Sequence, residues 1–586
     1  MKKWVLIEEK ADIPLMSATL GISETLAQAL VNRHVRTKNT AIKFLNPKRT
    51  YMYDPFLMKD MAKAVDIVYQ AANERKRIVI YGDYDVDGVM SAVILYKTLR
   101  QVGADVSFYI PNRETEGYGL NMAAVKLLHE RGTALMITCD NGVAAVAEIA
   151  RAKTLGMQVV VIDHHETGGT LPAAEAMVNP KRSDCTYPFE ALCAAGLCYK
   201  FAAAFHAAAG LDFGYDEEFL VLAMLATICD IVDLQDENRI IVKEGLAVLN
   251  QTPALNLGLH ALIEAKGYGG KEITAFTVGF VLGPCINATG RLEKATNAAM
   301  MLVTEDEEMA RLLAARLVEL NEIRRNMTEQ CFLAILERLE ASGHQQDKVL
   351  VIYDEETHES IAGIVAGRLK ERLYKPAVVL TPAAGGWVKG SARSIEGYNI
   401  FEAMHDCRHL FERFGGHAMA AGLTLHADHV SEFRRYLNTH CTLTDEDYVE
   451  IIKIDKVLPL QAATFELAQE LAHLSPFGKA NKEPLFKTTN VKIEHLRVIE
   501  NKNTIIFTFR ADGSHYRIKG ICFGLVDVFK AQLTALYDEK TCEKVLSGVL
   551  RDTNFVLDMV YALDINTYNE STMVQLKLRD FILRKN

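Results

Sequence analysis

The segment Gly82-Asp83-Tyr84-Asp85-Val86-Asp87-Gly88 sets three carboxylates at alternate positions between the apolar runs RIVIY and GVMSAVIL. Like charges this close repel, and a fold keeps them in one loop mainly where cations sit among them. A merely solvated turn is the plain alternative, and the apolar flanks weaken it. An EF-hand is excluded: counting from Asp83, Gly88 falls sixth, but Ile94 stands twelfth where a closing glutamate is required. Three further clusters follow, Asp140 in CDNG, Asp163-His164-His165 in IDHHE, and Asp230 at the end of LATICD. A carboxylate in such apolar company needs a partner, and a metal ion is the simplest. Mixed carboxylate and imidazole donors suit Mn2+, Mg2+ or Fe2+ better than structural zinc. An aspartate free to bridge allows two ions about 3.5–4 Å apart, an arrangement used for phosphoryl hydrolysis.

The elements that must hold these residues alternate as strand, loop and helix from Ile78 onward. RIVIY, VSFYI, ALMIT and MQVVVI are short runs of strand type separated by helix-like segments, which predicts a parallel sheet wound by right-handed crossovers. Asp83, Asp140 and Asp163 each stand just after such a strand, at the carboxyl edge where α/β sites gather. Met309, Leu312, Leu313, Leu317, Leu320, Ile323 and Met327 recur at helical spacing and predict one long helix over 306–342. KVLVIY and PAVVLT then flank SIAGIVAGRLKERL, which predicts a second, smaller α/β domain over 343–445. From 446 to 586 the strand-like runs NVKIEHLRVIE, NTIIFTFRA and HYRIKGICFG point to a small β-barrel, of which the OB-fold is one kind. The catalytic domain is placed at 61–305, and 1–60 is left as an N-terminal segment with a possible nucleic-acid contact.

In 586 residues, 49% hydrophobic and 24% charged, there is apolar material for several cores, and disorder as the main state is excluded. The apolar stretch Phe219 to Cys229 is too short to cross a bilayer, and the opening MKKWVLIEEK lacks the apolar core of a signal peptide. Eleven cysteines without C-x-x-C spacing argue against a disulfide scaffold or a thiolate zinc site. A cytoplasmic protein with no membrane partner is expected. The net charge of −10 is uneven: residues 1–60 carry +4 and residues 451–586 carry +3, so the acids concentrate between them. In the tail, Lys487, Lys492, Arg497, Arg510, Arg517 and Lys519 alternate with apolar residues; they either face water or track a polyanion.

The order DYDVDG, CDNG, DHH, CD resembles the DHH phosphoesterases. IPNRETEGYGLN, ATICDIVDLQDENR, GPCINATGRLE, GSARSIEGYNI, FGGHAMAAGL and LSPFGKANKEPLF resemble that family's branch of bacterial exonucleases specific for single-stranded DNA. The resemblance runs in order from about 80 to 580. It implies a parallel-sheet DHH domain joined by the long helix to a smaller α/β DHH-associated domain, followed by an OB-fold. It also implies roles. Asp85 and Asp140 would hold one Mn2+ or Mg2+ ion; Asp87, Asp140, His164 and Asp230 would hold a second, with Asp83 as auxiliary ligand or hydrogen-bond partner. His165 would contact the scissile phosphate, Asp163 would orient a neighbouring imidazole, and Arg291 would stabilise transition-state charge. Arg113, Tyr118, Asn287, Ser391, Arg393, Gly415, Gly416 and His417 would bind substrate, with Ser391 and Arg393 at the terminal 5′-phosphate.

The expected activity is 5′-to-3′ hydrolysis of single-stranded DNA to 5′-mononucleotides in repair and recombination, with single-stranded DNA as partner. The resemblance also implies a helicase of the RecQ type and a single-strand-binding protein. Smaller members of the family act on short oligoribonucleotides or cyclic dinucleotides without the helix and barrel, and a non-catalytic relative has broken metal motifs; neither fits this chain. Two departures stand out. Cys285 occupies a position where the family pattern leads one to expect arginine, which leaves Arg291 as the better candidate for transition-state charge. PFGKAN has alanine where a second glycine is expected, which puts a phosphate contact of that turn in doubt.

Overall fold

The computed structural model describes residues 2–213, 216–511, 515–547, 555–568 and 571–585. The chain divides into two compact units, one of residues 52–232 and 240–450, the other of residues 1–51, 233–239 and 451–586.

The first unit is built on a five-stranded parallel sheet, in the order Val106–Tyr109, Ile78–Tyr81, Leu135–Cys139, Gln158–Ile162, Ala176–Val178. Ile78–Tyr81 and Leu135–Cys139 are buried throughout, as expected of strands covered by helices on both faces. From the first strand in the chain, Ile78–Tyr81, the order moves to one side, to Val106–Tyr109, and then returns to the other, to Leu135–Cys139. The order therefore reverses between that strand and Leu135–Cys139, and the aspartates at 83–87 and 140 follow these two strands. This is the switch point at which α/β sheets open a crevice at their carboxyl edge.

The long helix forms as predicted, over Glu307–Ser342. Asp306 caps its first turn by accepting from Glu308 N (2.8 Å) and Met309 N (2.9 Å), and Gly343, at φ 72°, ends it in the left-handed conformation. It leads to a second five-stranded sheet, in the order Phe411–His417, Ala420–His426, Trp387–Arg393, Ala377–Pro382, Leu350–Tyr353. Only the last pair is parallel. Helix Glu359–Leu373 packs on this sheet through Ile361, Val365 and Leu369.

In the second unit, Phe486–Ile499, Thr504–Arg510 and Arg517–Phe523 form an antiparallel meander. Phe555–Tyr568 and Ser571–Lys585 pair with each other and join its two ends, closing a barrel. The N-terminal segment expected over 1–60 divides between the units, residues 1–51 grouping with the barrel and 52–60 with the other unit. Residues 1–51 fold with the barrel: Leu26, Leu30 and Phe44 share one core with Phe486, Phe507, Phe529 and Phe581. Lys3–Leu6 pairs with Ile451–Ile454. The pattern of residues 13–45 is that of three short amphipathic helices, and a helix this short needs a tertiary surface to be stable. Among the described residues no helix is long and apolar enough to cross a membrane. All eleven cysteines are free.

Candidate metal and phosphate site

The DYDVDG loop is shaped by its own caps. Asp85 is the N-cap of helix Val86–Gln101, its carboxylate accepting from Asp87 N (2.9 Å) and Gly88 N (3.1 Å). Gly88 permits the fold of the loop, because a Cβ there would lie 2.5 Å from the backbone of Asp83. Asp87 points the other way and accepts from Ala194 N (2.8 Å) and Ala195 N (2.7 Å), the first amides of helix Ala194–Ala209. Asp140 sits at φ 62°, a left-handed conformation that aspartate tolerates better than most residues.

These elements bring the predicted ligands together. Nε2 of His164 lies 3.1 Å from Asp140, 3.6 Å from Asp87 and 3.9 Å from Asp230. Three overlapping groups, Asp83/Asp85/Asp140, Asp87/His164/Asp230 and Asp140/His164/His165, each have donor atoms within 4.8 Å of one another. Asp140 belongs to two of them, as a bridging ligand would.

The electrostatics of the cluster are those of a cation site. Burial and the charge of Asp85 push Asp87 up to about 7; burial and Asp87 push Asp230 up to about 7. Asp83 and Asp140 are raised well above the usual carboxylate range, by burial first and by neighbouring aspartates second. Burial also holds His164 below its ordinary pKa, favouring the neutral imidazole that a metal takes. Among the described residues Oδ1 of Asp83 is buried with no hydrogen-bond partner, an acceptor of the kind that divalent cations satisfy. The residues therefore fit a hard divalent ion.

Asp163 is fully spent as an orienting group. It accepts from Val143 N (2.9 Å), His164 N (2.8 Å) and His165 N (3.1 Å), and Nδ1 of His165 stands 2.7 Å from it. Burial alone would lower the pKa of His165; the bond to Asp163 reverses this and raises it. The Tyr118 hydroxyl lies 3.2 Å from Nε2 of His165 and 3.2 Å from the Asp140 carbonyl, with its ring more than half exposed.

Four arginines, Arg113, Arg291, Arg324 and Arg393, lie close enough to repel one another, and two of them, Arg113 and Arg291, are near Tyr84 of the aspartate loop. Arg113 lies over the Tyr84 ring at 5.3 Å, Arg291 donates to Ser360 O at 2.6 Å, and Arg393 donates to Ser391 Oγ at 2.8 Å. Burial, then mutual repulsion with Arg113, Arg324 and Arg393, lowers Arg291 to about 10. Among the described residues none of these four arginines has a carboxylate partner, which marks the pocket as one for an anion. Asn287, expected at the substrate, has its Oδ1 accept from Val86 N (3.2 Å), which ties it to the aspartate loop. Gly415, Gly416 and His417 lie exposed on the edge strand Phe411–His417, with Gly416 at φ 146°.

The two departures have structural answers. Cys285 is buried, donates to Val281 O (3.2 Å) and lies 3.4 Å from Asn321 Nδ2, while Asn321 Oδ1 accepts from Arg324 Nε (3.1 Å) and Nη2 (2.9 Å). Asn481 of PFGKAN is fully buried and its amide donates to Leu474 O and Pro476 O, both at 2.8 Å. That side chain holds its own turn and has no donor left for phosphate.

Three contributors escaped the sequence reading. The Ala194 and Ala195 amides carry no side-chain signal. Arg324 looks like any helix-surface arginine. Gly363 did leave one: a glycine in mid-helix costs about 1 kcal/mol relative to alanine, and here its missing Cβ leaves room for Arg393 Nη2 and Ser391 Oγ, each 2.9 Å from where that atom would be.

The chain is similar to known proteins. Residues 77–227 match the model of the DHH family N-terminal domain, 346–442 the DHHA1 domain, and 454–580 the RecJ OB domain. The single-stranded-DNA-specific exonuclease RecJ of Bacillus subtilis is 41% identical over 517 residues, which cover 87% of this chain and 65% of that protein. RecJ of Dickeya dadantii is 33% identical over 544 residues, covering 90% of this chain and 91% of that one. The crystal structure of Thermus thermophilus RecJ in complex with Mn2+ superposes with a TM-score of 0.81 at 28% identity, covering all of this chain and 80% of that one. A RecJ structure bound to manganese matches at 33% identity and a TM-score of 0.58, covering 67% of this chain and 96% of that one. With these family models matched in order along the chain and RecJ relatives at 33% identity or more over most of its length, the chain belongs to the RecJ family of DHH exonucleases.

Proposed function

We propose that this chain is a metal-dependent exonuclease that degrades single-stranded DNA from the 5′ end to 5′-mononucleotides, serving repair and recombination. The observation that carries the reading is the buried carboxylate cluster centred on Asp140, with its unpartnered Asp83 oxygen, near arginines that have no acid partner among the described residues. Two ions, Mn2+ or Mg2+, would be held by Asp83, Asp85 and Asp140 and by Asp87, Asp140, His164 and Asp230. When bound, such a pair supplies a hydroxide nucleophile near neutral pH and polarises the phosphate.

The chain's own residues do the rest. His165, whose pKa the bond to Asp163 raises, is placed to donate to a phosphate oxygen as negative charge grows there. Tyr118 limits the swing of that imidazole. Arg291 adds a fixed positive charge. Arg113, Ser391 and Arg393 take the terminal phosphate, with Gly363 giving the guanidinium room, and this pocket sets the polarity. The exposed glycines at 415 and 416 let the backbone approach a phosphate closely. In the barrel, Lys492, Arg510 and Arg517 stand directly opposite one another on three adjacent strands, a cationic row suited to a strand backbone. A RecQ-type helicase, a single-strand-binding protein and a cytoplasmic location belong to the same proposal.

The test is cleavage of 5′- and 3′-labelled single strands, duplex and RNA with Mn2+ or Mg2+. The expected result is release of mononucleotides from the 5′ label only, on single strands, abolished by chelator. Release from the 3′ end, or activity in chelator, refutes the reading.

A further inference from the structure

Phe276 and Phe280 leave most of their surface in water, 64% and 71% exposed, with ring centroids 4.8 Å apart and planes inclined by 23°. Aromatic rings normally supply a large share of burial, so a stacked pair held open to solvent calls for a ligand with a flat apolar face. The pair sits on one continuous helical segment, Ala275–Thr277, Val278–Leu282 and Gly283–Leu292, whose middle turn is widened to a π-helix. Such bulges frequently mark functional sites.

The position of the pair relative to the metal ligands is fixed by close packing. The widened turn lies against the last turn of helix Asp216–Cys229, directly before Asp230. Cys229 Sγ is 4.0 Å from Val278 O, and a Cβ on Gly279 would meet Ile228 at 3.3 Å. A Cβ on Gly283 would strike Cys229 Sγ. At its other end the same segment carries Asn287 and Gly290 against the aspartate loop, and Arg291 at the phosphate pocket. One helical segment thus has the Arg291 guanidinium, proposed for the charge on the scissile phosphate, at one end and two exposed rings at its opposite end, with Asp230 beside the middle. Ile231, 64% exposed and at φ 57°, adds apolar surface next to that ligand.

We infer that Phe276 and Phe280 form a stacking platform for nucleobases of the bound strand on the 3′ side of the scissile phosphate, a few nucleotides from the cut. The inference rests on the proposed function for the identity of the strand. The occupant is a nucleobase because the surface is continuous with the site that takes the strand's phosphate, and every base presents the flat π-face that such rings accept, without regard to sequence.

The experiment uses the full chain in chelator, so that binding is read without cleavage, with single strands carrying 2-aminopurine at successive positions from the 5′ end. Wild type should quench the probe at positions a few nucleotides in, and Phe276→Ala/Phe280→Ala should abolish that quenching. Wild type should also bind strands with abasic sites at those positions about 10-fold more weakly than intact strands, and the double variant should lose this discrimination. Phe280→Trp should restore both. Both side chains are exposed, so an unchanged thermal midpoint checks that the variants fold. Persistent quenching and base discrimination in the double variant overturn the platform. Failure of wild type to bind or cut single strands overturns the proposed function instead.

Discussion

The aspartate cluster of the larger unit and the buried arginines of the smaller one both keep formal charge out of water, with opposite results. Arg239 is 1% exposed, and its five N–H donors go to five backbone carbonyls: Phe44 (2.7 Å), Leu474 (3.0 Å), Pro476 (3.4 Å), His473 (3.0 Å) and Ser475 (3.0 Å). Its plane also lies 4.0 Å above the Phe44 ring. Burial, then repulsion from Arg33, lowers its pKa to about 9, still cationic at neutral pH. Arg33 is similarly spent on Asp455 (3.0 Å) and Asn481 (2.9 Å). The aspartates, by contrast, repel one another, and among the described residues an Asp83 oxygen has no hydrogen-bond partner. Buried charge with every hydrogen bond made is architecture; buried charge left wanting is a place for a ligand.

The largest effect should come from Asp140→Asn, which keeps the shape and tolerates the φ of 62° while removing a shared charge. Cleavage should fall at least about 10³-fold, several kcal/mol of barrier. In chelator the variant should be no less stable than wild type, because one of several repelling carboxylates is gone. A near-normal rate in Mn2+ would refute a bridging role, and a large stability loss in chelator would move Asp140 to the architectural side of the contrast.

Arg239→Met makes the reverse case. It leaves the carbonyls of 473–476 without their donor and should destabilise the protein by about 3 kcal/mol or more in urea unfolding, since each unsatisfied buried group costs about 1–3 kcal/mol. Unchanged stability would mean that water or relaxation replaces the arginine.

The contrast also explains which features the sequence revealed. Asp83, Asp85, Asp87, Asp140 and Asp230 stand out because carboxylates among apolar residues conflict with local preference, and such conflicts mark function. The parallel sheet and the long helix were legible from period and from strand ends. Arg239 was not, because its partners are backbone carbonyls some 195 to 237 positions away along the chain. That residues 1–51 share the barrel's core was not legible, because their apolar stripe is complete only against Phe486 and Phe507. The bond from Val86 N to Asn287 was not legible either, because a motif shows that a residue is special without showing which way its side chain points.

Arg393→Ala is a smaller perturbation, at a charge whose partners are only a hydroxyl and a carbonyl. Cleavage of 5′-phosphorylated strands should drop by about 10-fold, and that of 5′-hydroxyl strands much less, since only the former lose a charge-assisted contact. Equal losses on both substrates would place the arginine elsewhere in the cycle.

The smallest effect is expected in the barrel. Deleting the barrel would be a poor test, because Leu26, Leu30 and Phe44 would lose the core that they share with it. A single charge is cleaner. Arg510 faces Lys492 on one side and Arg517 on the other, and like charges directly opposite on a sheet are destabilising. Arg517 is partly relieved by Glu494, at 2.5 Å and 2.7 Å. Arg510→Ala should therefore leave the barrel as stable as before or slightly more so. If the row tracks the backbone of a strand, affinity for long single strands should fall a few-fold, and the slope of log affinity against log salt should become shallower by about 0.7, the counterion release of one phosphate. A weaker affinity with the original slope would assign Arg510 to base contact. An unchanged affinity and slope would show that this row, like Arg239, carries charge for the fold alone.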